Sequence, residues 1–398
     1  MSDLARIGAA FALILLLLRL RWNLGAVMLL ASVALGALYL IGPASQLMVI
    51  ARAGADPVTL NLVGALVLIM VLENIIRKRG LLKQMTDSLS RLARDRRISM
   101  AILPGVIGLL PSAGGAAFSA PMVQEAAGGL SIAPERRAFI NYWFRHIWEY
   151  CSPLYPGIIL VAAITKVPLD RLLLSQLPLP VAVVVIGSLF CFRGIEGHAL
   201  PGERRKEDVR DLVVSLLPII ASIVLVVVFR LNLSLAMAAI VIVLFAVYRY
   251  PLPEIGTAIR ESISLNVILM VFGIMAFKYM LDATGAIEAL PRFFRESGMP
   301  PRAVFFALPF LVGLLTGLTV GFVGSTFPII VAMTGGHPAP ADLTFAFASG
   351  FAGVMLSPTH LCLLLTVQYF KADLAGTYRL LYVPVLLVFL VGLGAMLI

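Results

Sequence analysis

Asn141, Arg145 and Glu149 are spaced i, i+4, i+8, so they line one face of a helix within an apolar segment. His146 lies beside them, three residues before Glu149. Charged side chains at membrane depth are costly and usually face a pathway or one another. Arg145 could clamp a carboxylate with its planar, bidentate guanidinium. Glu149 or His146 could carry a coupling proton. The other reading is an Arg145–Glu149 ion pair that holds the helix in register.

Two further clusters occur twice. Small and polar residues crowd together at Pro111, Ser112, Ala113, Gly114, Gly115 and Ser119, and again at Gly321, Gly324, Ser325 and Thr326. Amides at helix starts bind anions and freed carbonyls bind cations, although small residues also serve close helix packing. Ser152-Pro153 is matched by Ser357-Pro358, followed by Thr359 and His360. A proline inside a helix frees carbonyls, which must find a cation, water or side chain, or simply leave a kink. The expected substrate contacts are Ser112, Ala113, Gly114, Gly115, Ser119, Asn141, Arg145, Ser325, Thr326, Thr359 and His360. His146, Glu149, Ser152 and Ser357 are the candidates for ion or proton coupling. Glu73 reads as a snorkelling side chain, and Lys278 with Asp282 as a local i, i+4 pair.

These residues sit in a chain that nearly repeats itself. LPGVIGLL at 103–110 is answered by LPFLVGLL at 308–315, and SPLYPGIIL at 152–160 by SPTHLCLLL at 357–365, both at an offset of 205. Gly80 and Gly285 keep the same spacing. Arg21-Trp22-Asn23-Leu24 is answered by Arg230-Leu231-Asn232-Leu233 at an offset of 209. Repeats of this length in an apolar chain are how many secondary transporters are built, with substrate held where the repeats meet.

Composition agrees. Hydrophobic residues make up 60% and charged residues 13%, whereas soluble domains sit near half apolar and a quarter charged. The long apolar runs mark a polytopic protein embedded in a lipid bilayer. The net charge of +10 falls in short loops between apolar spans and does not point to nucleic acid. Cys151, Cys191 and Cys362 show no CxxC spacing, which argues against a disulfide framework or zinc site, and no metal is expected. No GxxxxGK[ST] motif supports an ATP-driven pump, and no GxSxG or HExxH supports an intramembrane enzyme using Ser119 or Ser152.

The fold expected is an all-α polytopic membrane protein. It consists of two inverted repeats, each with five transmembrane helices, one re-entrant hairpin and one broken helix, giving ten spans and two hairpins. The N-terminal repeat is 1–192, with spans near 4–20, 24–41 and 56–76, a basic amphipathic stretch to Arg97, a hairpin at 99–130, a broken helix at 138–166 and a span at 170–192. A cytoplasmic linker covers 193–211. The C-terminal repeat is 212–398, with spans near 212–229, 233–248 and 263–282, an amphipathic piece at 285–297, a hairpin at 303–335, a broken helix at 342–370 and a span at 375–397. Five crossings per repeat make the second half inverted. With the Arg77–Arg97 loop in the cytoplasm, 21 of the 31 Lys and Arg residues are cytoplasmic and eight are outside. This bias places the protein in the inner (plasma) membrane with both termini on the outer face.

This order of elements resembles the ion transporter superfamily, which includes sodium-coupled dicarboxylate and citrate carriers and several antiporters. The strings LPSAGGAAFSAP, NYWFRHIWEY and LSPTHLCLLL are most similar to a prokaryotic branch of unknown function. The dicarboxylate carriers carry a Ser-Asn-Thr signature at each hairpin tip. Here Ser112-Ala113-Gly114 and Ser325-Thr326-Phe327 occupy those places, and neither tip contains asparagine. The resemblance implies a homodimer moving by an elevator motion. The function expected is a secondary active transporter of a small organic anion, carboxylate-like, coupled to protons or Na+, with no cofactor and no enzymatic activity. A cation/proton antiporter using Glu149 and His146 is the rival, and a non-transporting membrane protein is the third reading.

Overall fold

This structure, a computed structural model, describes residues 3–93, 95–111, 115–195, 206–285 and 300–397, and all its regular elements are helical. Five helices among the described residues are long and apolar enough to cross a membrane: Pro57–Lys78, Leu169–Cys191, Glu207–Val228, Leu265–Ala283 and Leu374–Met396. The chain is therefore a helical membrane protein.

Helix starts follow from local chemistry. Asn23 accepts hydrogen bonds from the amides of Gly25 and Ala26 and opens Leu24–Leu38. Asn232 does the same for Ser234 and Leu235 and opens Leu233–Val247. Proline supplies the first turn of Pro57–Lys78, Pro134–Arg145, Pro156–Thr165, Pro301–Thr316 and Pro340–Met355.

The halves interlock by exchanging helices. Leu24–Leu38 packs against Leu265–Ala283, and Pro57–Lys78 packs against Leu233–Val247. At the first crossing Gly25 and Gly273 bring backbone against backbone; a Cβ on Gly273 would strike the Gly25 carbonyl. Ser32 donates to the Ala276 carbonyl at 3.2 Å there. At the second, Ser234 donates to the Asn61 carbonyl at 2.7 Å. Asn74 donates to Ser262 Oγ at 3.1 Å and Lys78 pairs with Glu261, tying Pro57–Lys78 to Leu252–Ser262.

Two short helical pairs lie within this frame. The first is Arg96–Ile107 with Gly115–Ala126, 12 residues each, or about 18 Å per arm. The second is Pro301–Thr316 with Thr319–Met333. Each arm falls short of a hydrocarbon core about 30 Å thick. Gly317 makes the second turn with φ 63°, where a side chain would also press on the His360 backbone at 2.8 Å. Beside each pair runs a discontinuous helix. The first comprises Pro134–Arg145, a 3₁₀ turn at Ile147–Tyr150 and Pro156–Thr165. The second comprises Pro340–Met355 and Leu361–Phe370.

Several boundaries differ from the sequence reading. Pro43–Ala55 and Leu252–Ser262 are helices where loops are expected. Both are held by tertiary packing, Pro43–Ala55 on Leu265–Ala283 and Leu252–Ser262 on Pro57–Lys78; Gly54, for example, fits against the Phe272 ring. The expected span 170–192 is present as Leu169–Cys191, with a local irregularity at Leu177 where Pro178 removes an amide. Of the expected amphipathic piece at 285–297, all but Gly285 lies outside the described residues. The partner stretch forms the amphipathic helix Leu81–Leu92, held by Arg91 donating to Asp208 at 2.6 Å.

Candidate functional site

The two helix breaks meet at the centre of the protein. Pro134–Arg145 ends at Arg145, and His146 leaves the helical region with φ −104° and ψ 12°. The freed backbone carbonyls find side-chain donors. Tyr142 donates to the Met355 carbonyl at 3.1 Å, closing the end of Pro340–Met355 from the other half. Tyr155 donates to the Gly108 carbonyl at 2.5 Å and Trp148 to the Gly105 carbonyl at 2.8 Å, closing the first hairpin arm. Arg145, 2% exposed, donates from Nη1 to the Tyr155 hydroxyl at 3.3 Å.

His146 and His360 face each other across the breaks, with Nε2 atoms 3.1 Å apart. His146 Nδ1 lies 2.6 Å from the Tyr142 carbonyl. A carbonyl can only accept, so Nδ1 carries the proton and Nε2 of the neutral ring offers a lone pair to His360. The Tyr142 ring packs edge-on against both imidazoles, at 4.7 and 5.5 Å. Glu149 Oε1 stands 3.6 Å from His146 Nε2, and Oε2 accepts from the Thr319 hydroxyl at 2.9 Å. Thr319 opens the second arm of the second hairpin. The carboxylate of Glu149 therefore rests at a helix start, which favours anions. Cys362 completes the cluster, its sulfur and the two histidines' ring nitrogens lying within 4.8 Å of one another.

Asn141 forms a second crossing. Its amide is fully buried and accepts from Ser119 Oγ at 2.6 Å. It donates to the Ala116 carbonyl at 3.1 Å and to Thr366 Oγ1 at 3.0 Å. One side chain thus ties the first hairpin, the first broken helix and the second broken helix together.

A family profile described as "Protein of unknown function (DUF401)" matches residues 4–398. The chain belongs to this family. Among curated proteins, none matches it.

In this DUF401 chain the expected site residues separate into groups. Arg145, His146, Glu149 and His360 converge, while Asn141 and Ser119 meet each other at the separate crossing with Thr366. Ser152 and Ser357 serve the breaks themselves. Ser152 Oγ accepts from the Leu154 amide at 3.3 Å, and Ser357 Oγ accepts from the Thr359 amide at 3.2 Å. Thr359 donates to the Leu315 carbonyl at 3.3 Å, latching the second break to the second hairpin. Gly115 is the buried first residue of its hairpin arm. Ser112, Ala113 and Gly114 lie outside the described residues.

Ser325 and Thr326 require correction. They are not at the tip, which lies at Gly317 and Leu318, but buried within Thr319–Met333. Their hydroxyls donate to the Gly321 and Phe322 carbonyls, each at 2.7 Å, so they are spent on their own helix. Gly324 is likewise a packing residue, its Cβ position filled by the Ile274 side chain. The Arg145–Glu149 spacing also changes meaning, because the helix stops at Arg145 and the intervening turn is 3₁₀. Within its own segment Glu149 stands beside His146, with Oε1 3.6 Å from Nε2. Lys278 and Asp282 pair at 3.2 Å as expected for a local pair.

Thr319, Thr366, Tyr142 and Cys362 belong to the site and escape the sequence reading. Thr319 lies within the expected tip but is a common residue type there. Tyr142 and Thr366 carry no signal of their own in the sequence, and Cys362 shows no CxxC spacing.

Cavities reach both hairpins. One of about 380 Å³ is lined by Arg21, Trp22, Leu318, Pro358 and Thr359, beside the second tip. Another of about 460 Å³ is lined by Glu73, Arg77, Pro111, Phe118 and Glu261, beside the first.

Proposed function

We propose that this protein is a secondary active transporter of a small organic anion, with the site between the two helix breaks. The observation that carries the reading is Arg145. A guanidinium is buried at a helix end, within a polar cluster built from both halves of the chain. Charged groups at membrane depth mark substrate and ion pathways, and the planar guanidinium fork suits a carboxylate.

Glu149 gives the reading a mechanism. Its carboxylate occupies the start of the second hairpin's inner helix through Thr319. A substrate carboxylate suits the same place, so Glu149 and substrate are alternative occupants. Protonation of Glu149 through the neighbouring His146–His360 pair would release the position, coupling proton entry to anion binding. Sodium is the alternative coupling ion, held by carbonyls at the breaks.

The exchanged helix pairs and the matched Asn23 and Asn232 caps support an inverted repeat of ten spans and two hairpins. Backbone-to-backbone packing of Pro301–Thr316 on Pro340–Met355, through Gly313, Gly350 and Gly353, makes hairpin and broken helix one body. A body of this kind suits an elevator motion against a scaffold, with the protein working as a homodimer, as in the superfamily it resembles. Both termini face outward in this topology.

A cation/proton antiporter is the second reading, favoured by the His146 imidazole beside Glu149 and by the thiol that joins the histidine pair. A thermal-shift screen of the purified protein against small carboxylates, with and without sodium, separates the two. Carboxylates should raise the melting temperature, and Arg145→Gln should abolish that rise. A response to cations alone would reject the anion reading.

A further inference from the structure

We infer that His146, His360 and Cys362 form a binding site for a divalent transition-metal ion of zinc type, bridging the two helix breaks. The inference goes beyond anion transport and stands on the ligand geometry. The donor atoms lie within 4.8 Å of one another, and the two Nε2 atoms are 3.1 Å apart. In a tetrahedral site with metal–nitrogen bonds of about 2.05 Å and a metal–sulfur bond of about 2.3 Å, nitrogens sit about 3.3 Å apart and sulfur about 3.6 Å from each. The imidazoles already stand near that spacing, and the sulfur, at most 4.8 Å from a ring nitrogen of each histidine, lies no more than about 1.2 Å beyond it. A rotation of the Cys362 side chain covers such a distance.

A second observation points the same way. His146 Nδ1 is anchored on the Tyr142 carbonyl at 2.6 Å. Metal-ligating histidines almost always donate their other ring nitrogen to a carbonyl or carboxylate, which fixes the tautomer and aims the lone pair. Here the aimed lone pair is Nε2, and it points at the second imidazole. A proton shared between the Nε2 atoms satisfies the pair in the metal-free protein, and a metal ion would take that proton's place.

The donor set selects the ion. One thiolate with two imidazoles suits zinc, cobalt(II) or a similar ion, and excludes calcium and magnesium, which prefer oxygen. Glu149 Oε1, 3.6 Å from His146 Nε2, is placed to supply the fourth ligand. The cavity of about 380 Å³ comes as near as Thr359, the chain neighbour of His360. Because His146 belongs to the first break while His360 and Cys362 flank the second, an occupied site would clamp the two halves together.

Cobalt(II) tests this directly. The full chain, purified in detergent under reducing conditions and stripped with chelator, is titrated with cobalt in a Cys151→Ala, Cys191→Ala background. One equivalent should produce a sulfur-to-cobalt charge-transfer band and the intense visible bands of a tetrahedral site, and zinc should erase both. Cys362→Ser should remove the charge-transfer band, and His360→Gln should weaken binding at least tenfold. Melting curves confirm that each variant is folded. A folded protein with no charge-transfer band, or a band that survives Cys362→Ser, would overturn the site. The spectrum requires no transport, so its outcome is independent of the carboxylate screen. Arg145→Gln should lose the carboxylate response while keeping the cobalt band.

Discussion

Asn141 offers the sharpest quantitative test of how the centre is held. Its side chain makes three hydrogen bonds, to Ser119, Ala116 and Thr366, with no exposed surface. In a soluble protein each bond contributes about 1 kcal/mol, and stranding the buried partners adds about 1–3 kcal/mol. Within a membrane the unfolded reference state also finds polar partners, and interhelical bonds average about 0.6 kcal/mol, rarely exceeding about 1.7 kcal/mol. Asn141→Ala should therefore cost about 2 kcal/mol, near the sum of three membrane-type bonds. Ser119 keeps a fallback in the Ala116 carbonyl at 3.3 Å, which limits the loss. The cross-half bond alone is isolated by a double-mutant cycle with Thr366→Val, where a coupling of about 0.6 kcal/mol is expected. Reversible unfolding of the purified chain in mixed micelles, followed by tryptophan fluorescence, measures both quantities. An Asn141→Ala variant within about 0.5 kcal/mol of the parent, the range of an ordinary surface change, would refute the reasoning that this amide ties three segments together.

Other perturbations follow from the same packing. Gly353→Ala places a methyl group against the Phe310 carbonyl and 2.8 Å from the Leu314 amide, neither of which can yield; a loss of about 3 kcal/mol is expected in the same unfolding assay. Gly394→Ala meets nothing within 4 Å and should be neutral or stabilising by up to about 1 kcal/mol. Thr319→Val removes the hydroxyl that holds Glu149 at 2.9 Å, so carboxylate affinity in the thermal-shift assay should change while the fold persists; an unaltered affinity would remove Glu149 from the site. Asp95 caps the first hairpin arm, and its hydrogen bond to Arg97 holds its carboxyl below the usual carboxylate range. The stabilisation is complete above a carboxyl's ordinary value of about 4 and is lost as pH falls through the lower folded value. Amide exchange at Arg97–Met100 should accelerate there, and Asp95→Asn should flatten that dependence. Cysteines placed near Arg204 and near Gly336 should label from opposite sides of the membrane, and labelling from one side would reject the inverted repeat.

The sequence alone determined much about this chain. Its long continuous apolar runs call for helices, because lipid offers no partner for free backbone groups and barrel strands would alternate apolar with polar residues. Ser152-Pro153 and Ser357-Pro358 locate the two breaks, since proline removes an amide that a helix needs. Asn23 and Asn232 stand out in the sequence as matched positions of the repeat, and their capping of Leu24–Leu38 and Leu233–Val247 is a finding of the structure. The polar face of Asn141 and Arg145 is likewise a matter of helical spacing.

Only the tertiary structure decided which of these groups meet. His146 and His360 are 214 positions apart in the chain yet 3.1 Å apart in space. Glu149 finds Thr319, and Asn141 finds Thr366, by the same long-range packing. Ser325 and Thr326 show the converse: their residue types suit a tip, but the turn falls at Gly317, and a hydroxyl inside a helix bonds to its own backbone. Local propensity places breaks and caps within a few residues. The partner of a buried polar group, by contrast, is fixed by where two distant helices end against each other, and no spacing along the chain records that.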